Sequence, residues 1–188
     1  MQRFVYTSVY IHESMVEYYA STLAAAMDID NRKLSIAAFY HDYSKLKWPI
    51  ELFSKARNEL TDTDLNEILM HPKKSVDYIL NRYPERKQEF LQGDPSILDL
   101  IFMHHEKPDG SGYYNIKDMP IDAVLLSIAD IFDACLSDRL YRKSLNINIA
   151  LFESLKDYSS YLTAKKYNIN KIKKALVKSA VAIRLQYF

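Results

Sequence analysis

Apolar positions along this chain recur at helical spacing. Val5, Val9, His12, Val16, Tyr19 and Leu23 follow one another three or four residues apart, which puts them on one face of a helix with His12 on the buried side. Leu34, Ala37, Ala38 and His41 form a second inward stripe. Thr61-Asp62-Thr63-Asp64 reads as a capping box, with Asp where Glu is usual, and opens a helix expected to carry Leu65, Ile68 and Leu69 toward the core. Pro72 is expected to kink or interrupt that helix, because proline disfavours helical geometry at the residue before it. Pro95-Ser96 leads into Ile97, Leu98, Ile101, Phe102 and His105, another helical run, and similar patterns resume at about 121–137, 147–162 and 169–187. The chain has three glycines, and Gly110 and Gly112 fall with Pro108, Asp109 and Ser111 in residues 107–119, a loop by composition. The polar stretch from Tyr83 to Asp94 predicts a surface excursion. The fold class expected from this pattern is all-α, without repeats or linkers.

Size and composition narrow the picture. At 188 residues the chain is expected to form a single domain, or one domain with an extra terminal helix. Such a domain buries roughly two-thirds of its unfolded surface, so a self-sufficient core is available. Lys and Arg number 25 against 24 Asp and Glu, a net charge of +1. That balance argues against a duplex nucleic-acid binder, while leaving room for a local anion pocket. The single cysteine, Cys135, excludes an internal disulfide and fits a reducing, cytoplasmic setting. No run of about 20 apolar residues predicts a membrane span, and the charged N-terminal pattern is not that of a secretory signal.

The candidate chemistry lies in five histidines, His12, His41, His71, His104 and His105, each in or beside an apolar helical run. Asp42 follows His41, and Asp130 interrupts the apolar stretch 123–134. A lone histidine on an apolar face is ordinarily a hydrogen-bonded core residue. The adjacent pair His104-His105 is harder to accommodate that way, since helical neighbours point about 100° apart. A carboxylate at Asp130 also needs a compensating partner. A shared divalent metal would satisfy all these groups at once, because imidazole and carboxylate both ligate first-row cations. Spacing alone leaves the metal cluster and the hydrogen-bonded core as the two readings.

Motif order favours the first. His41-Asp42-Tyr43-Ser44-Lys45 resembles the His-Asp-x-Gly-Lys signature of HD-domain phosphohydrolases. The string His104-His105-Glu106-Lys107-Pro108-Asp109-Gly110-Ser111-Gly112-Tyr113-Tyr114 resembles the His-His-Glu-x-x-Asp-Gly-x-Gly-Tyr-Pro run of the HD-GYP family. Leu60-Thr61, His71-Pro72, Ser127–Ala134 (with Ala129-Asp130-Ile131-Phe132-Asp133-Ala134) and Asp138-Arg139-Leu140-Tyr141-Arg142 follow in the same family's order. The resemblance covers about residues 5–155 and leaves 156–188 as a C-terminal helical extension.

By this resemblance the fold is an HD-domain helical bundle with a metal site between helices, and the activity is hydrolysis of a cyclic dinucleotide. Cyclic di-GMP is the first expectation and a mixed cyclic dinucleotide the alternative. The product would be the linear dinucleotide, with GMP after any second cut. The implied metal ligands are His12, His41, Asp42, His71, His104, His105 and Asp130, with Asp42 bridging two divalent ions, iron first and manganese second. Asp42 and Lys45 carry the catalytic roles. Lys45, Arg139 and Arg142 would hold substrate phosphates, and Tyr113 would stand at the pocket mouth. Regulatory input would come from a sensor or receiver domain or a partner protein, and oligomerisation is compatible with the family. Other readings are a different HD-superfamily nucleotide phosphohydrolase and a non-catalytic cyclic-dinucleotide sensor.

The chain departs from the family pattern at Ser44 for glycine, Tyr114 for proline and Leu140 for proline, and in a longer stretch between His71 and His104. Ser8, one turn before His12, stands where members with a third metal carry a glutamate. A neutral hydroxyl is a poor ligand, so two ions are expected rather than three. Glu13 points about 100° from His12 and is not expected to substitute.

Overall fold

The stripe that begins the chain belongs to one long helix, α1 (Gln2–Ala26), followed by α2 (Arg32–Tyr40), α3 (Ile50–Ser54), α4 (Asp62–Arg82), α5 (Lys87–Leu91), α6 (Ile97–Met103), α7 (Ile121–Leu136), α8 (Ile147–Leu155), α9 (Ser159–Ala164) and α10 (Ile169–Tyr187). Short 3-10 turns cover Tyr43–Lys47, Arg57–Glu59 and Pro84–Arg86. The structure, a computed structural model, describes residues 2–138 and 142–187. Val9, His12, Val16, Tyr19 and Leu23 are all buried, as are Leu34, Ala37, Ala38 and His41.

The helices form a bundle around α7, a strongly apolar helix. Leu125, Leu126, Ile128 and Phe132 of α7 are inaccessible to solvent. α1 lies against α2, α7 and α10, while α7 also packs on α8, and α4 packs on α6 and the 43–47 turn. The Phe132 ring meets Tyr19 of α1 edge-on at 5.1 Å, a favoured aromatic geometry. Ala20 and Ala24 of α1 and Ala37 and Ala38 of α2 are buried without remainder, and such small side chains bring two helices close together. Ile172, Leu176 and Ala180 of α10 join the same core.

Helix starts follow local chemistry. The Thr61 hydroxyl accepts from the Asp64 amide, and Asp64 accepts from the Thr61 amide at 2.9 Å, the reciprocal pair of a capping box. Ser96 and Asp99 repeat this arrangement at the start of α6.

Four local expectations are corrected in whole or in part. Leu65 and Leu69 are 41% and 45% exposed rather than in the core. The buried face of α4 begins only at His71, Pro72, Ser75 and Ile79, because its first turns overhang a cavity that Ile68 helps to line. Of the kink or interruption expected at Pro72, the interruption is absent, since α4 continues to Arg82. The pattern at 147–162 divides into α8 and α9, where buried Tyr158 turns inward and donates its hydroxyl to the Glu106 carbonyl at 3.1 Å. Within the expected surface excursion, Phe90 of α5 is fully buried.

Phe132 therefore ties the central helix to α1. Phe132→Ala should destabilise the fold by about 3–5 kcal/mol through lost burial and a residual cavity. A urea-unfolding midpoint displaced by much less would show that the bundle collapses around the gap.

Candidate metal centre

Helix ends leave backbone carbonyls without intrahelical donors, and two histidines sit where such carbonyls are exposed. His41 caps the C-terminus of α2 and its Nδ1 lies 2.7 Å from the Ala38 carbonyl. His104 caps α6 with Nδ1 2.6 Å from the Ile101 carbonyl. His71 lies inside α4, yet it meets the same situation. Pro72 has no N–H to give the Ile68 carbonyl four residues back, and His71 Nδ1 approaches that carbonyl at 2.5 Å. A carbonyl can only accept, so in each ring Nδ1 carries the proton. Nε2 is then left with a bare lone pair, the form in which histidine ligates a metal.

These nitrogens converge. His71 Nε2 and His104 Nε2 lie 3.1 Å apart, and His71 Nε2 is 3.1 Å from Asp42 Oδ1. Acceptors facing one another at this distance repel unless a proton or cation sits among them. His41 Nε2 and Asp42 Oδ1 are buried without a hydrogen-bond partner. His12 approaches from α1, with Nε2 3.1 Å from Asp130 Oδ1 and 3.5 Å from Asp42 Oδ2. Ligand atoms within 4.8 Å of one another form three groups: His71 with His104 and His105, His12 with His41 and Asp42, and His41 with His104 and Asp130. The seven side chains named from the sequence thus meet in one place. The donor set fits a divalent cation: the orphaned acceptors are nitrogen and carboxylate oxygen, the ligands of first-row metals.

Electrostatics agrees with that chemistry. Burial, and then neighbouring His105 and His41, hold the pKa of His104 well below the usual imidazole range. His105 falls to about 3 for the same reasons, burial first and His71 next. His71 is lowered by burial and by Lys45. These rings are neutral near pH 7 and need lose no proton to bind a metal. For Asp42, burial acts to raise the pKa but is outweighed by Lys45, His41 and His71, which hold it well below the carboxylate range. Asp130 is likewise held low, with His12 and His41 overcoming burial. Burial would lower His12, yet Asp130 and Asp133 raise it to about 9.

Around this cluster opens a cavity of about 1150 Å³, lined by His12, Asp42, His105 and Asp130 and also by Lys55, Arg57 and Lys143. Lys45 Nζ contacts Asp42 Oδ2 at 2.6 Å and lies 5.3 Å from the Trp48 ring. Arg142 lines the cavity too, but its guanidinium bonds the Ala134 carbonyl at 2.6 Å and the Lys143 carbonyl at 2.8 Å. Arg139 lies outside the described residues. Tyr113 packs its ring 4.6 Å from His105, and burial pushes its pKa up to about 12.

The glycine loop is held from within. Fully buried Glu106 accepts from the Tyr114 and Ile116 amides, each at 2.7 Å. A side-chain carbon on Gly112 would lie 2.5 Å from the Glu106 Cα, so no larger residue fits. Tyr114 stacks on Phe102 at 4.4 Å and donates its hydroxyl to the Leu69 carbonyl, fastening the loop to α4 and α6. Ser44, the other departure, donates its hydroxyl to the His71 carbonyl at 3.0 Å and lies in a 3-10 turn that does not require glycine.

Sequence reasoning missed Asp133, whose Oδ2 holds His12 Nδ1 at 2.6 Å. It lies three residues after Asp130 on the same helical face, a spacing that could have revealed it. Glu13 was read only as turned from His12. It is fully buried with both carboxylate oxygens unpartnered, in none of the three ligand groups, and burial together with Asp42 raises its pKa to about 9. Ser8 lines the cavity.

A model of the HD domain family matches residues 5–161. The chain is similar to the cyclic di-GMP phosphodiesterase response regulator RpfG of Xanthomonas campestris, 30% identical over 123 residues, covering 64% of this chain and 30% of that protein. It is also similar to the 3'3'-cGAMP-specific phosphodiesterase 3 of Vibrio cholerae, 28% identical over 146 residues, covering 74% of this chain and 30% of that one. The chain thus spans about 30% of the length of these curated relatives. Among solved structures, the HD domain of the L. monocytogenes phosphodiesterase PgpH in complex with cyclic-di-AMP shares the fold, with a TM-score of 0.67 at 16% identity over 93% of this chain and 91% of that one.

Pro72 offers a test of how the rings are set. Pro72→Ala restores an amide that competes with His71 for the Ile68 carbonyl. The fold should be at least as stable, since proline inside a helix is unfavourable by about 3 kcal/mol. Metal affinity, measured by competition with a chelator, should fall about ten-fold or more. Undiminished affinity would show that this carbonyl does not orient His71.

Proposed function

The chain belongs to the HD domain family, in its HD-GYP type, and from that membership we propose that it is a metal-dependent phosphodiesterase acting on a cyclic dinucleotide, cyclic di-GMP first. The observation that carries the reading is the convergence of imidazole lone pairs and carboxylates on one another, with His41 Nε2 and Asp42 Oδ1 buried and unpartnered. Similarity to proteins named for cyclic di-GMP and 3'3'-cGAMP hydrolysis supports the substrate class.

His12, His41, Asp42, His71, His104, His105 and Asp130 would hold two divalent ions, with Asp42 central enough to serve both. Histidine-rich ligation favours iron, with manganese second, over magnesium. A third ion finds no carboxylate at Ser8. When bound, the ions polarise a phosphoryl oxygen and activate the attacking water.

The chain's own residues supply the rest. Lys45, already beside Asp42, would neutralise charge on the phosphate oxygens, a charge-assisted contact. Asp133 holds the His12 ring in place through Nδ1. Tyr113, packed on His105, would close the site against water. Arg142 would have to leave the end of α7 to reach a phosphate, and Arg139 is proposed for the same role from its motif alone. Residues 1–188 would act as one HD-GYP-like domain, with the part from about 156 onward buttressing α1.

Purified under anaerobic conditions, the wild type should contain two ions by elemental analysis and hydrolyse at least one cyclic dinucleotide. Asp42→Ala should lose most of that metal and nearly all turnover while keeping its helical circular dichroism. Full activity with two metals retained in Asp42→Ala would sink the assignment, and binding without turnover in the metal-loaded wild type would favour a sensor.

A further inference from the structure

Charge is unevenly spread along this chain. Residues 158–188 contain seven of its 25 lysines and arginines and none of its 24 aspartates and glutamates. The rest of the chain therefore carries 18 basic residues against 24 acidic ones, so a net charge near neutrality hides one strongly basic segment. Lys165, Lys166, Lys171, Lys173, Lys174 and Lys178 of that segment are all exposed. Upstream of it, Lys107 and Lys156 pair with Asp157 and Glu153 at 2.8 and 2.6 Å. Lys166, Lys171, Lys173, Lys174 and Lys178 have no side-chain hydrogen bond or ion pair among the described residues.

Four of these lysines belong to α10, whose inner face is buried through Ile172, Ala175, Leu176, Ser179 and Ala180. At about 100° per residue, Lys171, Lys174, Lys178, Val181 and Leu185 fall within about 80° of one another on the outward side. Val181 is 46% exposed and Leu185 79%. Three cations thus lead into two uncovered apolar side chains along one line of one helix. That is the pattern of a helix lying in a lipid interface, where apolar side chains dip toward the acyl chains and lysines reach the headgroups. Among the described residues no helix is long and apolar enough to cross a membrane, so such contact runs along the surface. A nucleic acid would offer phosphates to the lysines, but its charged backbone has nothing apolar to cover Val181 and Leu185.

We propose that the outer face of α10 docks this protein on an anionic phospholipid surface through Lys171, Lys174, Lys178, Val181 and Leu185. Each lysine held near such a surface multiplies affinity by about five-fold. The attraction fades over a Debye length, about 10 Å at 0.1 M salt. Two apolar side chains add depth without anchoring, so attachment is reversible and sensitive to salt. Because α10 packs on α1, α8 and α9, the bundle is carried to the surface by one of its own helices. None of the five residues lines the cavity at the metal cluster, and the docking stands independently of the phosphodiesterase reading.

The test is flotation of the full chain with vesicles of phosphatidylcholine alone and of its equal mixture with phosphatidylglycerol. In about 0.1 M salt the mixed vesicles should bind at least about ten-fold more tightly, and about 1 M salt should remove most of that difference. Replacing Lys171, Lys174 and Lys178 together by Gln should lower affinity for the mixed vesicles about a hundred-fold. Helical circular dichroism should not change, since all three positions are exposed. Val181→Ser with Leu185→Ser should lower affinity about ten-fold. Lys73→Gln, Lys87→Gln and Lys117→Gln together remove the same charge from exposed positions elsewhere, and should leave vesicle affinity within about two-fold. Equal losses in the two triple variants would overturn the proposal, because net charge rather than the α10 face would then drive binding. Equal affinity for the two kinds of vesicle, or no flotation with either, would overturn it as well. If a single-stranded RNA oligomer binds more tightly than the mixed vesicles and ignores the Val181 and Leu185 changes, the face is a polyanion site and the lipid assignment fails.

Discussion

A backbone carbonyl three residues upstream accepts the Nδ1 proton of His41, His71 and His104, and the rest of the site depends on that bond. It fixes the tautomer, aims each ring, and leaves three Nε2 lone pairs directed at one another. In two cases the carbonyl is free because a helix ends there, and in the third because Pro72 cannot donate. Where α2, α4 and α6 stop or lose a donor is therefore part of the chemistry. The pairing of α4 with α6 and of α2 with α6 brings those carbonyls, and with them the rings, to one point.

The second constraint is charge. Asp42 and Asp130 are buried beside apolar α7, where an isolated carboxylate is costly. Lys45 beside Asp42 and His12 beside Asp130 offset part of that cost, while buried Asp133 adds a third carboxylate on His12. A divalent ion would take over that role, with release of the His12 proton.

Much of this was legible in the sequence. The α1 and α2 stripes were plain because helical period and burial coincide there, and the histidine and aspartate positions followed from motif order. What could not be read depended on tertiary placement. Leu65 and Leu69 obey the apolar period, yet their side chains stay exposed on α4, whose buried residues start at His71. Pro72 was read by its local preference alone, whereas the packed helix absorbs it and His71 uses the vacated carbonyl. Asp133 carried a periodic signal, but only the position of α1 shows that its partner is His12. Arg142 matched a phosphate-binding position, while its present partners are carbonyls that no sequence pattern announces.

His12 stands apart from His41, His71 and His104 because no backbone carbonyl three residues upstream holds its ring. Its position is inherited from how closely α1 settles onto α2 and α7, and that approach is set in part by Ala20, Ala24, Ala37 and Ala38, all sealed from solvent. One extra methyl group at such a seam acts as a spacer between the two helices. Displacement of α1 by a fraction of an ångström would be transmitted undiminished to His12 Nε2, while the rings on α2, α4 and α6 kept their places. Side chains with no polar atoms at all thereby set the bite of the seventh ligand.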